Sequence, residues 1–448
     1  MRQSKLSRWA GASAVVLLAG ALVSCGGGKS STTSGAGAPV TVGPPGTTAL
    51  DPNNAPPPPA AGSEPSYKDA SRFLTQGTFG IQSEQQITDL TKMGYERWLW
   101  DQFRKDAASQ VAYLDAQKSR EQDGRAREEM SYEAMWQQWL KEDDQLRARV
   151  SWALLQIVVV SNIAPDLRPY GMSSYMDMLN RDAFGNYRQL LEDVTLHPTM
   201  GYYLNMLQSE KGNTAQGTHP NENYAREILQ LFSIGLVQLN PDGTRKLDAS
   251  GKPIPTYDEN VIKGFAKAFS GWSFGTGNPA DDKAFSNVDM EQIPNWVTPM
   301  KAWPTRHSTG DKLLLDGKTL PAGGTPESDM KAALDAIFNH PNVPPFVSLR
   351  LIQRLVTSNP SPDYVRRVAD VFANNGAGVR GDLKAVVRAI LLDPEARDVN
   401  KMNDPSFGKQ REPVIRFANL LRAFNATSKS GTNRIQYLDS AENGLGQS

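Results

Sequence analysis

From residue 66 to residue 448, apolar side chains recur at spacings of three and four. That period places them on one face of a helix and on alternate faces of a strand, so it predicts helices throughout. In 125–161 the stripe runs Tyr132, Met135, Trp136, Trp139, Leu146, Val150, Ala153, Leu154, Ile157. This predicts a long helix or a helix pair, apolar all round and therefore buried near LLQIVVV. Residues 221–235, 257–270, 345–357, 362–374, 380–392 and 411–424 read as further amphipathic helices. The last of these carries Val414, Ile415, Phe417, Leu420 and Leu421 as its stripe. Strand signals are confined to 236–256, where Pro241-Asp242-Gly243 predicts the turn of a small hairpin. Residues 275–330 are rich in Gly, Pro and Asp and read as a long ordered excursion. The expected fold class is all-α, as one helical body over 66–448 or with a C-terminal lobe from about residue 328.

Composition narrows the function classes. Charged residues make up 21% of the 448 residues and hydrophobic ones 39%, which excludes a polytopic membrane protein and a wholly disordered chain. Lys+Arg and Asp+Glu both number 48. A balanced chain is not a generic polyanion binder, because affinity for nucleic acid rests on many phosphate contacts by Lys and Arg. The single cysteine excludes a disulfide framework and any site with several Cys ligands.

That cysteine lies at the end of an export signal. Arg2, Lys5 and Arg8 precede the uncharged run 10–23, which is shorter than the roughly 20 residues that a membrane span needs. Leu22-Val23-Ser24-Cys25 resembles a bacterial lipobox, in which the cysteine receives diacylglycerol before cleavage. Residues 1–24 are thus expected to be a lipoprotein signal peptide and Cys25 the lipid attachment site. The membrane is then reached through the lipid anchor. Gly26, rather than Asp, after the cysteine favours the outer membrane, on its periplasmic or surface face. Of the 40 residues from Gly26 to Pro65, 32 are Gly, Ser, Thr, Pro or Ala, so 25–65 reads as a tether. A coil of that length spans roughly 35 Å.

Several segments of the body, taken together, resemble a known family. They are Arg72-Phe73-Leu74-Thr75-Gln76-Gly77-Thr78-Phe79-Gly80, Phe184-Gly185-Asn186-Tyr187 and His197-Pro198-Thr199-Met200. After these come the block from Asn221-Glu222-Asn223-Tyr224-Ala225-Arg226-Glu227 to Phe232, then Ala266–Trp272, and His340-Pro341 ahead of a helix. In order and spacing they are similar to the bacterial family called domain of unknown function 1800, over essentially all of 66–448. The resemblance implies export and a partner from a sulfatase-like exported family encoded nearby, and it implies no particular reaction. Two departures stand out. The family's His-Asp pair near the loop is replaced by Arg306-His307-Ser308-Thr309-Gly310-Asp311-Lys312, which displaces the acid. The chain also ends where family members continue into a Pro- and aromatic-rich closing segment, so a truncated C-terminus is expected.

The candidate chemistry centres on the NENYARE block. As a helix capped by Asn221, it puts Glu222 and Arg226 one turn apart as an i,i+4 pair. Glu227 falls on the other flank of the apolar stripe, which weakens a two-carboxylate hydrolase reading. Glu222, Asn223, Arg226 and Glu227 either tie neighbouring helices together or form a polar site. His307 is the better histidine candidate, in the long loop beside Arg306, Asp311 and Lys312. His197 and His219 are weak metal candidates, since no HExxH or paired cysteines accompany them. His-Pro pairs also have a structural use, as turn ends that open helices, which Ser361-Pro362 and Asp393-Pro394 share. No Walker loop, GxGxxG or GxSxG motif is present. Trp296 and Trp303 in the excursion are expected to be exposed, and Trp98, Trp136, Trp139 and Trp152 to be core. No cofactor is expected beyond the diacylglycerol on Cys25. The expected role is an envelope lipoprotein scaffold acting with a partner protein or an extracellular polymer. The alternative is a hydrolase-like or metal-assisted enzyme on such a polymer.

Overall fold

The computed structural model describes residues 53–161 and 168–435, with isolated positions 438, 444 and 445 beyond. The expected signal peptide, residues 1–24, and Cys25 lie outside the described residues. The N-terminal half of the body holds α1 (Tyr67–Gly77), α2 (Glu84–Arg104), α3 (Gln110–Gln117), α4 (Glu128–Lys141), α5 (Gln145–Leu155), α6 (Pro169–Asp182), α7 (Tyr187–Leu196), α8 (Pro198–Tyr203), α9 (Asn223–Gln230) and α10 (Glu259–Ala268). The excursion contributes β1 (Trp272–Ser273), α11 (Ile293–Val297), β2 (Lys301–Ala302), β3 (Lys312–Leu313) and β4 (Thr319–Leu320). The C-terminal part holds α12 (Pro326–Asn339), α13 (Val343–Leu355), α14 (Pro362–Ala373), α15 (Leu383–Leu392), α16 (Pro394–Arg397) and α17 (Pro413–Ala423). The fold is predominantly helical. β1 pairs antiparallel with β2, and β3 with β4. Among the described residues no helix is long and apolar enough to cross a membrane.

The helix starts follow the local chemistry. The Ser361 side chain accepts from Tyr364 N at 3.1 Å and that of Asp393 from Glu395 N at 2.8 Å, each with proline opening the helix. Thr325 and Ser328 form a reciprocal capping box on α12. The helix pair expected in 125–161 is α4 and α5, and Trp136, Trp139 and Trp152 stack edge to face beneath them. α13 packs on α14, α15 and α5, and α12 on α7, so helices on either side of residue 328 share one core. In α17, Val414 and Ile415 are buried, Phe417 and Leu421 are partly buried, and Leu420 faces solvent. The proline end of the tether is not wholly free. Gly94, at φ +76°, breaks α2, and a Cβ there would lie 2.9 Å from the Pro59 ring, so the ring packs directly on the bare backbone.

Residues 236–256 differ from a single hairpin. Gln238 N donates to Ile254 O (2.8 Å), Lys246 N to Gln238 O (2.8 Å) and Ile254 N to Lys246 O (3.1 Å). Each of three short extended stretches is thus bonded to the other two. The expected turn closes through Gly243 N to Asn240 O, and a second turn closes through Gly251 N to Asp248 O.

Trp296 and Trp303 are buried, not exposed as the sequence suggests, at 1% and 0% exposure. The excursion folds back on the helices rather than projecting from them. Trp296 packs against Phe274 and Tyr202 and donates Nε1 to Met290 O at 2.9 Å. Periodicity carries no signal for this burial, because the segment is held by aromatic anchors rather than by an amphipathic helix.

Candidate functional site

The NENYARE block begins later than its sequence implies. Asn221 accepts from Asn223 N at 2.9 Å through Oδ1, but it lies one residue before the helix cap, which is Glu222. Arg226 meets Glu222 at 3.3 Å, as the spacing requires. It also makes a two-pronged pair with Glu259 at the start of α10, at 3.1 and 3.2 Å. Tyr224 is buried and its hydroxyl lies 2.6 Å from Thr195 Oγ1 in α7. Glu227 is half-buried, its Oε2 has no hydrogen-bond partner among the described residues, and burial raises its carboxyl pKa above the ordinary value despite nearby Arg226. Glu222 and Arg226 pair with each other, Asn223 bonds to Asn205 and Glu227 Oε2 is left without a partner among the described residues, so the four candidates do not converge on one reacting atom.

His307 lies in the interior at 1% exposure. Its Nε2 is 3.0 Å from Asp329 Oδ2 in α12, and its Nδ1 is 2.8 Å from the Ser270 carbonyl oxygen. Lys312, fully buried on β3, places Nζ 2.7 Å from the same Asp329 oxygen and 3.0 Å from Gly310 O. The acid displaced from the loop is thus supplied by α12. Asp311 instead accepts from Ala322 N at 2.8 Å. Gly264 of α10 makes this possible, because a Cβ there would sit 1.8 Å from Leu313 O. Only a glycine lets the β3 backbone press on the helix and bring Lys312 inward. Ser270, His307 and Asp329 are the residue types of a hydrolytic triad, but the Ser270 hydroxyl donates to Lys267 O at 2.7 Å and lies 3.4 Å from the ring nitrogen. All three side chains are buried, so the group has neither access nor an activated nucleophile.

The other histidines are set apart from these. His197 is buried, and its Nδ1 accepts from Thr199 N at 3.2 Å, capping α8 ahead of Pro198. Burial pushes its pKa down to about 3. His340 does similar work through Asn342 N at 3.1 Å. His219 is exposed in the loop before α9. Among the described residues no group of three His, Cys, Asp or Glu side chains is arranged to hold a metal ion.

What the block does is brace a turn that lines a cavity. Asn223 donates Nδ2 to Asn205 Oδ1 at 2.8 Å, and Asn221 N donates to Ser209 Oγ at 2.9 Å. These bonds fix the turn 204–209, which holds two non-glycine residues in the left-handed region, Asn205 at φ +58° and Gln208 at φ +61°. Gln208 N donates to Trp272 O at 2.8 Å and Gly271 N to Ser209 O at 2.7 Å. The HPTM segment enters through α8, whose last residues are Tyr202 and Tyr203. Segments from α8, from the start of the 221–232 block and from 271–272 thus meet at this one turn.

Beside the turn lies a cavity of about 620 Å³ lined by Arg168, Tyr202, Tyr203, Asn205, Leu207, Gln208 and Met290. A family model described as protein of unknown function, DUF1800, matches residues 72–448. The chain belongs to this family. The comparisons with curated proteins and with solved structures return no match. Three of the blocks that carry the DUF1800 likeness meet at the 204–209 turn. The lining residues themselves escape a reading of this DUF1800 sequence. Asn205 and Gln208 belong to no motif, and only the Tyr202-Tyr203 pair just after HPTM hints at them. Asp329 is missed as well, because only the tertiary fold brings it to His307.

Proposed function

We propose that this DUF1800 protein is a lipid-anchored envelope scaffold that holds an extracellular polysaccharide in the cavity beside α9 without cleaving it. The carrying observation is the convergence of three sequence blocks on a turn whose two left-handed residues line that cavity. Non-glycine residues in this region cost energy, and such strain gathers where a surface must be shaped for a ligand. Two tyrosine rings with an asparagine and a glutamine amide suit a sugar. The rings pack on its C–H faces, and the amides both donate to and accept from its hydroxyls.

Chain cleavage by two carboxylates needs them roughly 5–9.5 Å apart across the bond. No carboxylate is among the residues described as lining the cavity, and Glu222 and Glu259 are engaged with Arg226. This supports a holding role over a hydrolytic one. The lipobox at Cys25 and the Gly/Pro-rich segment after it support attachment to the envelope, with a partner protein of the exported sulfatase-like kind acting on the same polymer. The test is retention of envelope polysaccharide by the full-length protein and by Asn205→Gly with Gln208→Gly. Glycine accepts the same backbone angles, so the double variant removes both amides and loses only the exposed Asn223–Asn205 bond of the turn. The reading expects weakened retention by a folded protein whose melting temperature falls little, and retention equal to the parent contradicts it.

A further inference from the structure

A second cavity, of about 600 Å³, opens where α13, α17 and the end of α5 meet, and it shares no lining residue with the first. Its charge is lopsided. Arg350, Arg354, Lys409, Arg411 and Arg416 line it, and Glu412 is the single carboxylate among the lining residues. The chain as a whole has equal numbers of cations and carboxylates, so this surplus is local. Glu412 is shared between Arg354 at 3.3 Å and Lys409 at 3.2 Å.

Beneath the lining lies Arg149, 2% exposed. Its Nη2 donates to the Arg354 carbonyl oxygen, which also accepts from Lys409 Nζ at 2.9 Å. The shared acceptor pins the Arg149 guanidinium against a residue of the cavity wall. Its Nε and Nη1 have no hydrogen-bond partner among the described residues. Capping accounts for part of this. Arg354 is near the C-terminus of α13, where carbonyls lack helical partners and cations are favoured. One cation satisfies that need. Two on a single carbonyl, with Arg350, Arg354, Arg411 and Arg416 around them, exceed it, and Glu412 alone among the lining residues offsets their charge.

We propose that this cavity binds a multiply charged oxyanion of the phosphate kind. Lys409 and the arginines that line the cavity supply the donors to its oxygens and the charge balance. Planar guanidinium forks match phosphate geometry, and a single carboxylate would leave most of the surplus uncompensated. Leu231 and Phe346 on the same wall give an apolar surface for the organic group that carries the phosphate.

The test is calorimetric titration of inorganic phosphate into the full-length protein at fixed ionic strength, with acetate as the control anion. Saturable binding of phosphate and none of acetate is expected. Arg411→Gln with Arg416→Gln on the rim lowers affinity about tenfold, roughly the loss of one charge-assisted hydrogen bond. Competition by phosphatidic acid vesicles, whose headgroup is a phosphomonoester, assigns the phosphate to a lipid headgroup, and lack of competition assigns it to a soluble ester, both within the proposal. No saturable phosphate binding, equal binding of acetate, or unchanged affinity in the rim variant overturns it.

Discussion

His307 and Asp329 stand 3.0 Å apart in the interior, and the Asp329 oxygen that faces the imidazole also receives Lys312 Nζ at 2.7 Å. One carboxylate thus joins the long excursion to α12. Removing it as Asp329→Asn leaves the fully buried Lys312 ammonium without a counter-charge. Breaking a buried pair in this way costs about 3–5 kcal/mol. Urea unfolding should register a loss of that order, and Asp329→Asn with Lys312→Met should recover much of it. A single variant as stable as the parent would show that the node carries no structural load.

The ion pairs of α9 behave differently. Arg226 and Glu259 are 36% and 64% exposed, so Arg226→Met should cost no more than about 1 kcal/mol. Glu227 goes the other way. Its carboxyl is raised by burial, so folding favours the protonated form, and the charge carried at neutral pH opposes the fold. Glu227→Gln should melt at the same temperature or higher at pH 7. A drop of several degrees would mean that the carboxylate has a partner in the folded state.

His197 sets an acid limit. Its folded pKa is near 3, against an ordinary value of 6.5, so between these the unfolded chain binds the extra proton. Its contribution to stability is therefore complete above pH 6.5 and is lost as pH falls toward 3. His197→Asn keeps an acceptor for Thr199 N and removes the titration. Stability of that variant between pH 6.5 and 4 should fall less steeply than that of the parent. Parallel slopes would place the acid sensitivity elsewhere.

Much of the fold was legible because helices declare themselves locally. The apolar period located α4, α5, α10 and α13–α15 to within a few residues, and Ser361 and Asp393 announced their helices by cap chemistry. The family was legible from its blocks. The candidate site was only half legible. The Glu222–Arg226 pair follows from one helical turn, but Glu259, Asn205 and Asp329 reach their partners across loops whose paths no spacing rule encodes. Trp296 and Trp303 were misread for the same reason, since burial in an irregular segment depends on what folds over it.

The proposed attachment to the envelope rests on one atom, the sulfur of Cys25. Cys25→Ser should move the protein from the membrane fraction to the soluble fraction and abolish incorporation of labelled fatty acid. Label retained by the serine variant would refute the lipid anchor.

The most direct test of the account is to incubate the full-length protein with isolated envelope polysaccharide and to measure bound protein and polymer length in one sample. The account predicts saturable binding, weakened by Asn205→Gly with Gln208→Gly, and a polymer size distribution that does not change with time. Progressive shortening of the polymer, abolished by Glu227→Gln, would contradict it and make the helix beside the cavity a catalytic element.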